Sequence, residues 1–322
     1  MIAYKGFNKD LTCRGFKYEV GKTYETTTAI LYNSGFHACL DPLDCLYYYS
    51  PESSVYYVVD IQDVCKNRSN KTTVICGKKI TVLERMYFGH LYEHHRKYIE
   101  SIKNDCIIKL INHKTMAKEN YNIILGGDCK CVSAISYNLV DFDDYNTFAF
   151  RNRNTICLSS FNNISVEDIN AIKCDYKNII SVQCENIIKA CNENSVSLHS
   201  SNFLTACHYN IISGKRHNSI IVGDYNTISL DDRNGIIAKD NNVITAQYRN
   251  TISAGENCFI STGLDSIVKA DKGSVITLSN LPDKISITKV VDDESIKSNT
   301  WYTLIDGEFT VASDEIIKEH GV

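Results

Sequence analysis

From Asn146 to Asn250 the chain repeats one polar–apolar pattern every eight residues, with Asn at fourteen successive marked positions. The register continues upstream through Asn138, Lys130 and Asn122, and downstream through Cys258, Ser266 and Ser274. That makes twenty octads, sixteen of them with Asn at the mark. Two residues after each mark the side chain is aliphatic or Phe, from Ile124, Val132, Val140 and Phe148 through to Ile276. Four residues after it the side chain is mostly small or aliphatic, as in Leu158, Val166, Ala190, Ala238 and Ala270. Alternate residues of an extended chain share a face, so each octad reads as a short strand whose inner face carries Asn, then Ile, then Ala or Val. The remaining residues, rich in Asp, Asn, Gly and Tyr, make a turn. A short fixed period of this kind is the signature of a solenoid.

Eight residues cannot close a coil around an interior, but two octads facing each other can. The pattern therefore predicts a two-sided β-solenoid with 16-residue coils, about ten of them, or about 48 Å at the inter-strand spacing of a sheet. The marked Asn then recurs above itself in two stacked columns, where its amide can bond both its column neighbours and the turn backbone. On the outward side of one face, three residues after the mark, stands a column of small hydroxyls: Ser165, Ser181, Ser197, Ser213, Ser229, Thr245, Ser261 and Thr277. Their neighbours one residue after the mark are irregular (Asn163, Ile179, Ser195, Ile211, Thr227, Val243, Phe259, Val275). The opposite face mixes Lys173, Lys189, Thr205, Ile221, Ile237, Ser253 and Lys269. The hydroxyl column is the candidate binding face of the solenoid.

The flanking segments have a different texture, and twelve of the twenty tyrosines lie in residues 1–120. Residues 1–83 read as a small α+β domain, with strands over Val55–Val59 and Thr73–Leu83 and a short helix opened by Asp41-Pro42-Leu43-Asp44. Residues 84–120 read as a helical connector and cap, because Tyr87, Leu91, Tyr98, Ile102, Cys106 and Leu110 fit a helical stripe. That helix is expected to cover the first coil of the solenoid at 121–279. Residues 280–322 break the period and are expected to form a C-terminal β cap, since an open solenoid end exposes core and strand edges. The fold class is thus mainly β.

Charge separates the two halves. Residues 1–120 hold 17 Lys and Arg against 13 Asp and Glu, whereas residues 121–322 hold 17 against 25. A DNA duplex as long as the solenoid would carry about 28 charges, so a net charge of −8 excludes DNA mimicry. The lysines and arginine of residues 66–79 read as a solvated hairpin, which makes nucleic acid an unfavoured partner. The fourteen cysteines are scattered and include no C-x-x-C, the arrangement expected of reduced thiols in a cytoplasmic protein. Neither a signal peptide nor a membrane-spanning apolar run is read, so no membrane partner is expected. His90 and His94 share the face of a helix that can hold a metal, but with no third ligand in view they read, with His95, as surface histidines; no metal or cofactor is expected.

The octads resemble those of bacterial ice-nucleation proteins, best seen in Asn250-Thr-Ile-Ser-Ala254-Gly255 and Ser261-Thr-Gly263. That resemblance implies a β-solenoid. At the N-terminus, Met1-Ile-Ala-Tyr-Lys-Gly-Phe7, the run Cys13–Glu25, and Gly35-Phe-His-Ala-Cys39 with Asp41-Pro-Leu-Asp44 are similar to an uncharacterised domain common in bacteriophage and prophage proteins, often followed by short repeats. The C-terminal Thr300-Trp-Tyr-Thr-Leu-Ile-Asp-Gly-Glu-Phe309 resembles the ending of those proteins. The resemblance carries no activity. Tyr4-Lys-Gly6 and Gly35-Phe-His-Ala38 ahead of a Tyr-rich helix are also loosely similar to ADP-ribosyltransferase folds. That likeness implies a nicotinamide cleft lined by His37, with Tyr48 or Tyr49 stacked on the ring and Glu84 as the candidate catalytic carboxylate. Lys5 stands where that family has Arg or His. The alternative role for Gly35 and His37 is to fix a turn and pack against Tyr47.

The expected function is that of a non-catalytic phage or prophage accessory protein, in which a solenoid presents the N-terminal domain to a host or virion protein. Antagonism of a host protein falls within that expectation, and homo-oligomerisation is left open. The alternatives are an NAD-dependent ADP-ribosyltransferase-like enzyme in residues 1–83 and a self-assembling or ice-active rod.

Overall fold

The computed structural model describes residues 1–49, 54–66, 69, 72–86, 93–95, 97–98, 101–102, 107–109, 114–117, 123–280 and 282–322. The N-terminal domain is built from β1 (Ile2–Asn8), β2 (Thr12–Cys13), β3 (Phe16–Lys17), β4 (Thr23–Glu25), β5 (Phe36–Cys39), the short helix α1 (Asp44–Tyr48), β6 (Ser54–Val64) and β7 (Val74–Met86). Five of these strands form one sheet in the order β4-β7-β5-β1-β6, and β6 also pairs with β7, so the pairing closes on itself. The length of β7 permits this. Its first residues pair with β5, its middle with β4, and Gly77 to Met86 with β6, across a bulge at Val58/Val59. The inward face gathers Ala3, Phe7, Tyr18, Ala38, Tyr57, Val59, Ile61, Ile75, Ile80 and Val82 into the core. Each fully buried Ile or Phe there contributes about 1.5–3 kcal/mol. Helix α1 has Leu43 at its N-cap with no side-chain capping bond, which corrects the expectation that Asp caps it; the Asp41 carboxylate instead accepts from the Leu43 amide at 2.9 Å, just before the helix.

The helical connector expected from residue 84 onward is corrected in two places. Strand β7 continues through Met86, because Glu84, Arg85 and Met86 pair with Val58, Tyr57 and Tyr56 and so remain extended. Further along, residues 107–109 and 114–117 are strands that pair in parallel with Ile123–Leu125 and Cys131–Ala134. The first coil is therefore met by further strand pairing. Helical residues lie between, at 93–95, 97–98 and 101–102. Tyr87, Leu91, Cys106 and Leu110, part of the stripe that suggested one long helix, and His90, the metal-ligand candidate, lie outside the described residues.

The remainder is a β-solenoid of about ten turns with 16-residue coils, as the octads require. The chain divides into two compact units: Met1–Leu158 with Val166–Lys173 and Glu185–Ile187, and Ser159–Ser165 with Cys174–Cys184 and Ile188–Val322. In the first unit, Leu139–Phe142 pairs in parallel with Thr155–Leu158, so each residue sits on the one sixteen places away. Asn138 donates its backbone and side-chain N–H groups to Asn154 Oδ1, both at 3.0 Å. Asn154 repeats this to Asn170, and Asn170 to Asn186.

The second unit holds a column of six marked Asn. Asn162 bonds through its backbone to Asn178, and the chain of amides continues through Asn194, Asn210 and Asn226 to Asn242. Each Nδ2 also donates to turn carbonyls, as Asn210 does to Cys191 O and His208 O at 3.0 Å. The columns end on smaller acceptors: Asn242 N–H reaches Cys258 Sγ, Asn250 N–H reaches Ser266 Oγ, and Cys258 N–H reaches Ser274 Oγ. The residue before every mark, from Cys129 to Asp265, is left-handed, with φ between 54° and 59°. None of these is glycine, so the amide bonds around each corner hold a backbone conformation that costs about 1–2 kcal/mol. Closure at the C-terminus is β, as expected. Val275–Asn280 pairs antiparallel with Ile285–Val290, and Val268 meets a hairpin of Tyr302–Ile305 and Glu308–Val311. Antiparallel strands end the parallel ladder and cover its edge. A last helix, α2 (Asp314–Glu319), is capped by Ser313.

Candidate functional site

The N-terminal domain contains a cleft of about 590 Å³, a size suited to a small organic ligand. Its walls come from β1, the β2–β3 hairpin, β4, the turn before β5, β5 itself and α1. The turn is held by Gly35 at φ +90°, where an added Cβ would lie 2.9 Å from Thr28 O and Ala29 Cα. The lining is aromatic: Phe16, Tyr18, Tyr24 and Phe36 meet edge to face at centroid distances of 4.8–6.4 Å. Tyr49 also lines the cleft, packed so closely on Gly6 that a Cβ there would meet its ring at 2.6 Å.

The chemistry of the cleft centres on Lys5. Strand β1 alternates Ala3, Lys5 and Phe7 toward the domain core, so a lysine occupies a position where the pattern calls for an apolar residue. Lys5 is only 6 % exposed. Its Nζ donates to His37 O at 2.8 Å and lies 5.5 and 5.9 Å from the ring centroids of Phe7 and Tyr18. Among the described residues no carboxylate forms an ion pair with it. His37 accepts the Tyr32 amide on Nε2 at 2.8 Å and stacks on the Tyr32 ring. Burial, and then the charge of Lys5, lower its pKa, so its ring is neutral at pH 7. Two thiols are held away from activation: a hydrogen bond to Cys45 and burial hold Cys39 far above the usual range, and burial pushes neighbouring Cys76 up to about 11. Burial likewise raises the phenols of Tyr18, Tyr48 and Tyr49.

Of the residues suggested by sequence, His37, Tyr48 and Tyr49 line this one cleft, whereas Glu84 does not. Glu84 stands exposed on β7, opposite Val58. Glu25 does line the cleft, but its carboxylate is 2.5 Å from Lys79 Nζ. His37 packs on Tyr32 and not on Tyr47, whose ring instead meets Tyr48 and the Arg153 guanidinium. In the solenoid, Ser165, Ser181, Ser197, Ser213, Ser229 and Thr245 are exposed, while Ser261 and Thr277 are half-buried. Ser181 through Thr277 lie in direct register from strand to strand. Beside them Ile179 is 58 % exposed, Ile211 62 % and Phe259 60 %. The irregular neighbour positions thus carry large apolar side chains into solvent.

One cluster has no counterpart in the sequence reading. Asp41, Asp44 and His95 are fully buried, which corrects the expectation of a surface histidine at 95. His95 Nδ1–H donates to Asp41 Oδ1 at 2.8 Å, Asp44 Oδ2 accepts the Thr73 amide at 2.6 Å, and Arg153 Nε lies 2.8 Å from Asp44 Oδ1. The Arg153–Asp44 contact is close but not aligned as a hydrogen bond, and His95 Nε2 and Asp41 Oδ2 are also left over. Burial and the Asp41 charge push Asp44 up to about 6, against the opposing pull of Thr73 and Arg153. His94 contacts the Tyr4 hydroxyl at 3.3 Å through Nδ1. Among the described residues no group of three or more His, Cys, Asp or Glu is placed to hold a metal, and the thirteen described cysteines are free. No helix among them is long and apolar enough to cross a membrane.

Residues 1–94 match a family described as a domain of unknown function, DUF7666. No curated protein and no solved structure matches the chain.

Proposed function

We propose that the chain is a non-catalytic binding module, in which the solenoid offers a flat recognition face to a partner protein and carries the N-terminal domain as a second binding element. The observation that supports this most is the face itself. A hydroxyl row in strand-to-strand register runs beside the exposed Ile179, Ile211, Val243 and Phe259, an amphipathic surface on a scaffold whose marked Asn side chains are turned inward. Exposed apolar side chains aligned in one row mark interaction surfaces. The resemblance of the N-terminal and C-terminal segments to bacteriophage and prophage proteins supports a host or virion protein as the partner, with a role as an accessory protein of the phage.

The test is affinity capture from host lysate with wild type, with Ile211→Lys/Phe259→Lys, and with Lys189→Ala on the opposite face. A partner retained by wild type and by Lys189→Ala but weakened at least about tenfold, or 1.4 kcal/mol, by the double variant is the expected result. Equal retention by all three overturns the proposal.

A second reading, an NAD-dependent ADP-ribosyltransferase-like activity, is favoured by the meeting of His37, Tyr48 and Tyr49 in one cleft. Against it stand Glu84, which is outside the cleft, and Glu25, which is engaged by Lys79. Incubation with NAD⁺ and lysate separates the two readings. Release of nicotinamide that Glu25→Gln abolishes would establish the enzyme; no release above the buffer control removes it.

A further inference from the structure

We propose that the cleft of the N-terminal domain is a binding site for a small anion joined to a planar ring, with the anionic group seated on Lys5 and the ring received by the aromatic wall. Three independent features of the lining support this site.

The first is the ammonium of Lys5. The residue is only 6 % exposed, one of the three donor positions of its ammonium is taken by His37 O, and no carboxylate neutralises it among the described residues. A charge withdrawn from water normally comes with an opposite charge, because desolvation is not recovered from one neutral hydrogen bond and two ring faces. The missing counter-charge is what an anionic ligand supplies. Lysine, a compact point charge, suits phosphate and carboxylate alike.

The second feature is a pair of hydroxyls. Tyr24 Oη and Ser34 Oγ belong to residues lining this same cleft, and both are buried without a hydrogen-bond partner. Buried polar atoms in folded proteins are ordinarily matched, so two unmatched hydroxyls in one cleft call for a partner the chain does not provide. Both are donors that an anionic acceptor matches in kind. The neighbouring phenols are already engaged, Tyr48 with Thr72 and Tyr49 with Cys13, so the surplus is specific to Tyr24 and Ser34.

The third feature is the wall. Tyr18, whose ring lies 5.9 Å from Lys5 Nζ, joins Phe16, Tyr24 and Phe36 in a continuous set of edge-to-face rings bordering the space. Such a wall favours a flat ring over an aliphatic chain. Arg14 adds a second cation at the rim, and the one carboxylate in the lining, Glu25, is paired with Lys79. The net field inside the cleft therefore favours negative charge.

This site is independent of the solenoid face, and its test uses the full chain. Calorimetric titration is run with adenosine 5′-monophosphate and with 4-hydroxybenzoate, which place a phosphate or a carboxylate on a ring, and with adenosine and inorganic phosphate as truncated controls. One of the two ring-bearing anions is expected to bind one-to-one, at least about tenfold tighter than adenosine or inorganic phosphate, and more weakly as salt is raised. Lys5→Met is expected to lose that binding by at least about tenfold while its melting temperature stays equal to or above that of wild type, because a buried uncompensated charge has been removed. Tyr24→Phe, which keeps the ring and the wall, is expected to weaken binding several-fold and guards against a fold defect in the first variant. Adenosine bound as tightly as its monophosphate, no binding of either ring-bearing anion at millimolar concentration, or a Lys5→Met variant that melts lower while binding unchanged would each overturn the proposal.

Discussion

The stacked Asn of the solenoid and the interior of the N-terminal domain treat buried polar groups in opposite ways. In the second unit every Asn of the column from Asn178 to Asn242 gives its side-chain amide to turn carbonyls and, through its Oδ1, accepts from the marked residue sixteen places before it, so that Asn210 alone engages Asn194, Asn226, Cys191 and His208. In the N-terminal domain Tyr24 Oη, Ser34 Oγ and Asp41 Oδ2 are buried with no such match. A matched interior fixes one structure, whereas an unmatched one holds interaction energy that a ligand or a proton can still release. The repeat is organised for persistence and the domain for response.

The contrast is broken most severely at the column. Asn210→Leu is expected to lower unfolding free energy by about 3 kcal/mol in urea titration, since groups on four neighbouring residues lose a partner in the buried column. Asn210→Ser should recover part of the loss, because Ser266 and Ser274 already serve as acceptors at equivalent marks. Equal melting temperatures for wild type and the Leu variant would mean that the column contributes nothing.

A smaller effect is expected from Asp44. Its folded pKa of about 6 lies above the ordinary 3.8, so it favours the folded state while protonated. That contribution is complete below pH 3.8 and is lost as pH rises through 6. Asp44→Asn keeps an acceptor for Thr73 and does not titrate. Melting curves of the two proteins should therefore run closest near pH 4, with wild type falling behind by about 1–2 kcal/mol between pH 5 and 7. A gap independent of pH would show that the Arg153 pair holds Asp44 ionised throughout. The smallest effect belongs to the outer column: Ser213→Ala should change stability by less than about 0.5 kcal/mol, because an exposed hydroxyl is equally well served by water. A larger loss would place Ser213 in a network rather than on a free face.

How much of this was legible in the chain follows from the same contrast. The column could be read because each mark repeats one environment twenty times, and the +2 Ile and +4 Ala state which way the Asn faces. The left-handed corners could not, since Tyr, Arg, Glu, Lys and Ile all occupy them and none carries a local signal for positive φ. The stripe Tyr87 to Leu110 suggested one helix, yet apolar spacing alone does not exclude strands, and pairing with the first coil decided the conformation of residues 107–109 and 114–117. In the N-terminal domain, His37, Tyr48 and Tyr49 were brought together by resemblance. Lys5 was noticed only as a departure from that resemblance. Its isolation from any carboxylate, like the unmatched hydroxyls of Tyr24 and Ser34, is a property of what surrounds it in space, which a strand pattern does not encode. The burial of His95 against Asp41 was hidden for the same reason.

The sixteen-residue interval between donor and acceptor has a consequence for how such a chain can change over generations. Each marked residue finds its partner by counting along the backbone, not by a unique identity. An in-frame duplication or loss of one full turn rejoins Asn to Asn and leaves every remaining bond of the same kind. A change of half a turn also rejoins Asn to Asn, but it exchanges the two outer surfaces for all that follows, carrying the hydroxyl row to the side that held the lysines. Replication slippage in these codons thus has two heritable outcomes, one that adjusts length and one that inverts which surface carries the hydroxyl row.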